Sequence, residues 1–530
     1  MFIFPKHGFF FSLCMFLLCI FLLCPVLVYT QTPDDENQEI LTFDFNLSMF
    51  LTGSGAYYFE KSEFFGGFET WISAHAGGNL GKNVSYFADI GVALLNINRK
   101  LLSEKEQMKV DGDDNNIMDI YSYPLGYFPY SYKSSWDGFV FPLSNLSSSG
   151  PAGWPHSTSI GFFLMGGVEG SAFNNILEWR LARIEREAAA AADGYSLALN
   201  KFAQPFLGFD LQLNMFPWLS IYHVTGILEY FASKGIKTSA ATSQNAYSLT
   251  MLSLNYKEYV QADVGSSVIW PKRFELGYLF PAFHLLNQNN TGDFDNLGLF
   301  GNIKLKYPGL GFIWFSLFID EINFESEFFN LAREMYAFQT GLRYEVPFIP
   351  SGLLTLSYTK IEPYCYTHQK TVVPWYNQPM EQAFMNHGYG LGYYLPPNSD
   401  ELKLVLNAEV SSHTALDFQF QMIRHGAEYG EYKVFGSSYE SELQEDDRST
   451  DDRLRKDFLN DGAYQWFFVV KAGARYSING IPATKKLQME FLLNAGVVFS
   501  YWKLYEKTLD NAQYPSRTGI IMDVGFRITY

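Results

Sequence analysis

The sequence predicts an all-β fold, a transmembrane antiparallel β-barrel of about 16–18 strands with a small helical insertion. Three observations support this prediction. Segments of about ten residues alternate apolar and polar side chains. The 530-residue chain is rich in aromatic residues, with 49 Phe and 35 Tyr. It also ends on an aromatic residue that follows apolar residues at every second position. Together these features favour a barrel with a lipid-facing outside and a polar lumen.

The alternating segments recur along the whole chain. In the first one, apolar side chains occupy every odd position of residues 41–49 and polar side chains occupy the even positions. A helix would scramble these two faces, whereas a barrel strand needs one lipid face and one lumen face. Further segments of this kind run through residues 84–92, 209–215, 401–410 and 487–499.

Short turns join some of these segments, and long polar stretches join others. Residues 77–79 and 307–309 are turn-like, with Gly, Asn and Pro, whereas the stretches at about 97–156, 361–398 and 425–462 are long. Short turns on one side and long loops on the other are typical of bacterial outer-membrane barrels. We therefore predict one barrel domain over residues 31–530, in which these stretches are extracellular loops.

The first thirty residues differ from the rest of the chain. Lys6 and His7 make a weakly basic start, residues 9–28 are almost entirely apolar, and polar, acidic sequence begins at Gln31. This pattern predicts a secretory signal peptide over residues 1–30, cleaved near Thr30 or Gln31. An uncleaved membrane anchor is the alternative, because about twenty apolar residues can span a bilayer.

Cysteine usage and charge narrow the class of protein. Cys14, Cys19 and Cys24 lie in the leader, so only Cys365 would remain and no intramolecular disulfide could form. The net charge of −17 argues against a nucleic-acid partner, because phosphate binding needs basic surface. After the leader no apolar run is long enough for a helical span. An exported chain of this kind is either a soluble periplasmic β-protein or an outer-membrane barrel.

The last segment favours the barrel. Val524, Phe526, Ile528 and the terminal Tyr530 share one face. This pattern resembles the C-terminal signal that the barrel-assembly machinery recognises, and it predicts that machinery and outer-membrane lipid as partners. Pairing of this strand with the first strand would also remove the free sheet edge. The alternative is an edge strand of a soluble protein. The predicted location is the bacterial outer membrane.

Residues 174–193 break the β pattern. The segment is rich in helix formers, with apolar residues at helical spacing, and Gly194 follows as a stop. It is therefore predicted to be helical. It could cap a loop, or it could act as a plug or lid that partly blocks the lumen.

No motif predicts enzyme chemistry. The chain lacks Gly-x-Ser-x-Gly, a P-loop and His-Glu-x-x-His. Cys365 and His368 are close in sequence, but two ligands do not make a metal site. A glycan-cleaving carboxylate pair at Asp320 and Glu321 is disfavoured, because adjacent strand residues point to opposite faces. The sequence predicts no enzyme activity, no metal and no cofactor.

Two aromatic-rich loops could bind sugars, whose C–H faces stack on aromatic rings. The candidate residues are Tyr127, Tyr130 and Trp136 in the first loop, and Trp375 and Tyr376 in the second. The alternative is the aromatic belt that barrels place at the membrane interface.

Several short motifs occur in order between residues 154 and 426. They include Arg-Phe-Glu-Leu-Gly-Tyr-Leu-Phe-Pro at 273–281, Asp-Asn-Leu at 295–297, Tyr-Cys-Tyr-Thr-His at 364–368, His-Gly-Tyr-Gly-Leu-Gly at 387–392 and Arg-His-Gly at 424–426. In this order the chain resembles the capsule assembly (Wzi-type) family of outer-membrane proteins. The resemblance implies a barrel with helical elements and a surface lectin role in organising capsular polysaccharide or exopolysaccharide. The family's expected helical segment before Leu41 is absent.

The motif residues have two possible roles. They could bind sugar, or they could form an internal polar network, because buried charges need partners. The candidates are Arg273, Glu275, Asp295, Asn296, His387, Asp400 and Arg424.

Two functions therefore remain open. The leading one is a non-enzymatic barrel that binds surface polysaccharide. The alternative is a porin or a specific channel for small solutes. An open lumen would favour the channel, and a lumen filled by residues 174–193 would count against it. The charged residues predicted to face the lumen are Asp44, Asp210, Glu409, Lys471, Arg475, Glu490 and Arg527.

Overall fold

A computed structural model gives the fold for most of the chain. It describes residues 42–59, 63–98, 141–146, 156–201, 203, 205–228, 245–271, 275–279, 284, 295–321, 334–368, 371–373, 378–380, 382–386, 389–428, 431–439, 458–459, 462–481, 484–504, 509, 514 and 516–530. The predicted signal peptide lies outside these residues.

The described residues form a closed antiparallel barrel of 18 strands, which confirms the predicted fold class. The wall strands are β1 (Asp44–Tyr58), β2 (Glu63–Asn79), β3 (Val84–Asn98), β5 (His156–Ala172), β6 (Leu177–Ile184), β7 (Phe206–Phe216), β8 (Leu219–Ile227), β9 (Asn245–Tyr256), β10 (Val260–Pro271), β11 (Asn296–Tyr307), β12 (Gly311–Glu321), β13 (Met335–Val346), β14 (Gly352–Ile361), β19 (Ser399–Ser411), β20 (Thr414–Gly426), β21 (Ala463–Ile481), β22 (Thr484–Leu504) and β23 (Arg517–Thr529).

Five short strands accompany the wall. The strand β4 (Phe141–Leu146) pairs with β5, and the others form two small hairpins between β14 and β19: β15 (Thr371–Val373) with β16 (Gln378–Met380), and β17 (Met385–Asn386) with β18 (Tyr389–Gly390).

The first and last wall strands close the barrel. β1 pairs with β23 in a register that runs from Ser48 opposite Thr529 to Tyr58 opposite Gly519. The backbone of Leu47 and that of Tyr530 also exchange two hydrogen bonds of 2.8 Å. Closure leaves no unpaired edge in the wall, as a sheet surrounded by lipid requires.

The two ends of the barrel differ. Thr42 and Tyr530, the first and last described residues, lie at the end with the short turns, which include residues 80–83, 173–176, 217–218, 257–259, 308–310, 347–351 and 412–413. We call this the short-turn end. The opposite, long-connection end carries the longer connections between strands, whose described residues include 185–201, 275–279, 362–368 and 431–439. In outer-membrane barrels short turns face the periplasm and long connections face the outside, and we propose the same orientation for this barrel.

The wall has one apolar and one polar face. On β11, Leu299, Ile303 and Leu305 are exposed on the outer face, whereas Asn302 and Lys304 alternate with them on the inner face. The same period of two places residues of opposite character on opposite faces of every long strand. Among the described residues, no helix is long and apolar enough to cross a membrane.

The predicted helix over residues 174–193 is wrong. Asn174 and Asn175 form a tight turn with positive φ angles, Leu177–Ile184 is strand β6, and the chain then enters the lumen. Leu177, Trp179 and Leu181 also alternate with polar residues, so the segment fits a strand, and pairing with β5 and β7 outweighs its helix propensity. In the part of the chain that is described, the helical residues are the 3₁₀ turn Leu276–Tyr278 and His284, which has α-helical conformation.

Candidate functional site

Residues 186–199 form a hairpin inside the lumen, which we call the crossbar. The backbone of Ala188 pairs with that of Leu199, and the chain reverses between them. The crossbar contacts two different parts of the wall. Its first residue lies against β7, and the turn between its two arms lies against β12, β13 and β19. Because β7 is the sixth wall strand and β13 the twelfth, the crossbar runs across the lumen rather than along one wall.

Arg186 fixes the start of the crossbar. Its buried guanidinium donates from Nε and Nη2 to the carboxylate of Asp210, at 2.9 Å each. It also donates to the carbonyl oxygens of Ala182, Ile184, Phe206 and Gly208, and it stacks on the ring of Phe206. A buried ion pair with this many additional hydrogen bonds is strongly destabilised when one partner is removed.

The turn of the crossbar, residues 189–195, is the tip loop. Ala191 and Ala192 pack on Trp314 of β12, and Asp193 forms an ion pair with Arg343 of β13. On the far side of the turn, the Nζ of Lys403 donates to the hydroxyl of Tyr195 at 2.9 Å and lies 4.1 Å from its ring centroid. The tip loop therefore contacts the wall through small apolar side chains and two polar contacts.

A second inward segment packs on the crossbar. It comprises the described parts of residues 362–398, and we call it the inner plug. The hydroxyl of Tyr366 donates to the carbonyl of Leu197 at 2.8 Å, and the amide of Asn200 donates to the carbonyl of Leu391 at 2.7 Å. Apolar side chains of both segments and of the wall form one buried cluster. Burial raises the pKa of Tyr366 well above its ordinary value.

Close packing in this cluster depends on a glycine. A Cβ atom at Gly298 of β11 would lie 2.3 Å from the ring of Phe318 and 3.2 Å from that of Phe384. The absent side chain leaves room for these rings, which stack edge to face at 5.3 Å. The stretch at 361–398 is long, as predicted, but its described residues pack inside the barrel instead of projecting from it.

Glu401 of β19 anchors the inner plug. Its buried carboxylate accepts hydrogen bonds from the hydroxyls of Tyr393 and Tyr394 and, at 2.6 Å, from the amide of Gln421. Three donors compensate the loss of hydration of this carboxylate. The plug is therefore attached to the wall by a satisfied buried acid.

Between the crossbar and the short-turn end, the inner wall carries charged side chains that remain in contact with solvent. We call this region the vestibule. The side chain of Arg475 is 53% exposed, and its Nε lies 3.5 Å from Oε1 of Glu490. Oε2 of the same carboxylate lies 3.7 Å from Nη1 of Arg527. Further around the barrel wall, on β5 and β6, the side chains of Glu169 and Arg180 are 45% and 34% exposed. The vestibule is thus a hydrated space with charges of both signs.

The structure places all seven sequence-predicted lumen residues on the polar face of their strands. Three of them, Arg475, Glu490 and Arg527, line the vestibule. Asp44 and Glu409 are exposed at its short-turn rim. Lys471 is buried in the wall, farther from the short-turn end. Asp210 is engaged by Arg186 and does not meet the vestibule solvent.

Two of the residues named by the family resemblance hold other chain segments to the wall. One of these segments lies inside the lumen, and the other lies on the outside of the wall. Asn296 of β11 donates to the carbonyl of Gln382 at 2.9 Å and so binds the inner plug. Asp295 is buried and accepts a hydrogen bond of 2.9 Å from Tyr278. Glu275 precedes the 3₁₀ turn and is partly exposed. Asn296 and Asp295 hold chain segments to the wall.

Asp400 and Arg424 form an ion pair on the outer face of β19 and β20. Arg424 donates from Nε to Asp400 at 2.7 Å, and the hydroxyl of Tyr358 donates to the same carboxylate at 2.8 Å. The guanidinium also stacks over the rings of Phe458 and Trp466. These residues lie away from the lumen, near the long-connection end.

The described residues of the connection between β10 and β11, which are 275–279, 284 and 295, lie over the outside of the wall, and we call them the flap. Within this flap, the ring of His284 lies within hydrogen-bond distance of the hydroxyls of Ser248 and Ser266, which point outward from β9 and β10. The ring of Tyr278 packs at 4.9 Å on Trp270. Burial lowers the pKa of His284, and the nearby His223 lowers it further.

The remaining predicted residues fall into two groups. The outward face of β23 carries Val524, Phe526, Ile528 and, at the chain end, the exposed Tyr530. The other ligand candidates lie outside the described residues: Tyr127, Tyr130, Trp136, Arg273, Trp375, Tyr376 and His387.

The structure describes many of the possible metal ligands and both members of the disfavoured carboxylate pair, Asp320 and Glu321. The described side chains include no cluster of three or more His, Cys, Asp or Glu that could hold a metal ion. Cys365 is a buried free thiol. Asp320 accepts a hydrogen bond of 2.6 Å from the backbone of Tyr366, so it is occupied by the inner plug.

Sequence reasoning missed the residues that shape the lumen. Arg186, Asp193 and Tyr195 lie in the segment interpreted as a helix or just beyond it, and their partners Arg343 and Lys403 lie far away in sequence. One signal was available: the run of five alanines at 188–192 offers no side chain large enough to anchor a surface loop.

A closed barrel with an apolar outer face and a polar lumen is an outer-membrane β-barrel, and the predicted location in the bacterial outer membrane is confirmed. No protein-family model and no curated protein matches the sequence.

Similar folds occur among solved structures. The outer membrane protein OprD of Pseudomonas aeruginosa is 11% identical, over 93% of this chain and 96% of that chain, with a TM-score of 0.44. OccAB4 of Acinetobacter baumannii is 7% identical, over 94% and 100%, with a TM-score of 0.45. Wzi of Escherichia coli, described as an outer membrane protein involved in group 1 capsule assembly and a carbohydrate-binding β-barrel, is 10% identical, over 90% and 83%, with a TM-score of 0.45.

Proposed function

We propose that this barrel is a selective channel for small polar solutes, with the crossbar as its constriction. The observation that supports this proposal is the vestibule, where Arg475, Glu490 and Arg527 line the inner wall in contact with solvent. Charged groups that stay hydrated inside a membrane-spanning wall mark a pathway for polar solutes. A barrel of about eighteen strands is wide enough to hold such a pathway.

The crossbar and the inner plug set the expected selectivity. They fill the lumen near the long-connection end with packed side chains, and residues 186–193 belong to the segment whose presence in the lumen was expected to count against a channel, so an unrestricted pore for large solutes is disfavoured. The tip loop presents Asp193 to the vestibule, opposite Arg343 of the wall. A solute would therefore pass a narrow place lined by one acid and one base, which favours small polar molecules over apolar ones.

Polysaccharide binding, the leading function from the sequence, stays a prediction. Its aromatic loop residues lie outside the described residues, and of its motif residues Asp295, Asn296, Asp400 and Arg424 are engaged in bonds within the protein. The Wzi-type resemblance supports this function, and no described surface adds to it. The barrel-assembly machinery and outer-membrane lipid are the partners that we propose for the chain.

Solute flux tests the channel proposal. Protein purified from membranes after expression of the full chain would be placed in liposomes, and swelling would be recorded in neutral sugars and zwitterionic amino acids of increasing mass. We expect rapid swelling with the smallest solutes and a steep loss of rate with size. Swelling equal to that of protein-free liposomes for every solute would contradict the proposal. Retention on immobilised capsular polysaccharide in the absence of flux would favour the lectin function.

A further inference from the structure

We propose that the tip loop of the crossbar is a gate that swings away from β12 and β13, while the rest of the crossbar stays fixed. This inference rests on the proposed channel function and concerns the regulation of the same lumen. It follows from a contrast between the two ends of the crossbar, which are held to the wall in very different ways.

The base of the crossbar has no freedom to move. Arg186 is fully buried and fixed by Asp210 and by four backbone carbonyl oxygens. The hydroxyl of Ser196 donates to the carbonyl of Ala188 at 2.5 Å, which joins the two arms just before the tip loop. Leu197 and Leu199 on the return arm are buried in the main apolar cluster. Motion of these residues would expose buried charge and apolar surface.

Residues 190–194 of the tip loop are held weakly by comparison, whereas its two ends are packed: Ala189 belongs to the main apolar cluster, and the ring of Tyr195 lies 5.8 and 5.6 Å from those of Tyr393 and Tyr394, centroid to centroid. Ala191 and Ala192 bury little apolar surface on Trp314, because a methyl group is the largest group they offer. The carboxylate of Asp193 is 37% exposed and the side chain of Arg343 is 18% exposed, so their ion pair is open to water. Ion pairs that water reaches contribute little to stability and weaken with salt. At the far end of the turn, Lys403 donates a hydrogen bond to the hydroxyl of Tyr195, and the backbone amide of Lys201 donates one of 3.2 Å to the carbonyl of Gly194.

The backbone also favours a hinge at this position. Ala189, directly after the Ala188–Leu199 pair, has φ 52°, and Asp193 has φ 55°. Residues with a Cβ atom rarely adopt this left-handed conformation, and holding it costs free energy. The docked tip loop is therefore strained at both ends of its alanine run. Release of the tip would relieve the strain, and rotation about Ala189 would move residues 190–194 without disturbing the base.

Single-channel recording of variants that lack one contact between the tip loop and the wall tests the gate. Asp193→Asn removes the ion pair with Arg343, and we expect an increase of about fourfold in the fraction of time spent in the larger conductance state. Tyr195→Phe removes the Lys403 hydrogen bond and should act in the same direction. Glu345→Gln is the matched control: it removes one negative charge from the inner face of the same strand, β13, at an exposed position. It should leave the occupancy unchanged.

A reversible cross-link gives the converse test. In the Asp193→Cys, Arg343→Cys variant, a bifunctional methanethiosulfonate reagent should abolish the larger state, and a reductant should restore it. Each single cysteine variant controls for modification alone, and Cys365, the one other cysteine after the leader, is buried. If wild type conducts but neither the substitutions nor the cross-link changes its states, the gate is wrong and the channel stands. If neither wild type nor any variant conducts, the channel and the gate are both wrong.

Discussion

At the residue scale, the interior of the barrel is organised by buried ions that are fully compensated. Asp210 accepts the guanidinium of Arg186, and Glu401 accepts two tyrosine hydroxyls and an amide. Each ion connects an inward segment to the wall, so it fixes the position of that segment. Sequence patterns placed Asp210 on the lumen face of its strand but could not reveal its partner, because Arg186 lies in the segment that was interpreted as a helix.

Arg186→Gln measures the strength of this connection. The substitution leaves the carboxylate of Asp210 buried without its cation, and we expect the free energy of unfolding to fall by about 3 kcal/mol. Urea unfolding of the protein in lipid vesicles, followed by tryptophan fluorescence, would report the loss. Arg475→Gln provides the comparison, because its ion pair with Glu490 is 53% exposed on the arginine side, and its loss should cost less than about 1 kcal/mol. Equal losses for the two variants would contradict the role of Arg186.

At the scale of elements, the sequence predicted the wall far better than its connections. Alternation over about ten residues identifies a lipid face and a lumen face without knowledge of neighbouring strands. This reasoning failed for β6, because the Glu, Arg, Leu and Ala residues at 177–184 also suit a helix. Pairing with β5 and β7 makes the segment a strand. The flap, the crossbar and the inner plug depend on contacts between residues far apart in sequence, which no local pattern encodes.

The flap is expected to respond to pH through His284. Its pKa is lowered in the docked flap, so the undocked state binds protons more readily. The docking free energy should therefore be constant well above the ordinary histidine pKa of about 6.5 and should decrease as the pH falls below it. His223 faces His284 at 6.3 Å between ring centroids, so the two rings repel each other when both are protonated.

Hydrogen exchange of residues 275–279 would measure this response. Exchange in wild type should accelerate between pH 6.5 and pH 5, after correction for the intrinsic pH dependence of exchange, by roughly tenfold or more. His284→Gln should remove most of the acceleration. His413→Gln, in an exposed short turn, should keep it. Acceleration of the same size in the His284 variant would show that another group controls the flap.

At the scale of the whole molecule, the barrel has a hydrated vestibule at the short-turn end and a packed region toward the long-connection end, with the crossbar between them. The closed wall, the polar lumen and the outer-membrane location followed from alternation, aromatic content and the last strand. The proposed gate depends on contacts of the tip loop with β12, β13 and β19, which only the three-dimensional arrangement reveals. The charges of the vestibule are consistent with solute passage rather than with a sealed scaffold.

The most direct test of this account is the single-channel conductance of the wild-type protein, purified from membranes after expression of the full chain, in a planar lipid bilayer. The account predicts small, stepwise currents that fluctuate between at least two levels, as a constricted lumen with a movable tip loop requires. Verified insertion of the protein into the bilayer without any current would contradict it, and would mean that the lumen is sealed and the function lies at the cell surface.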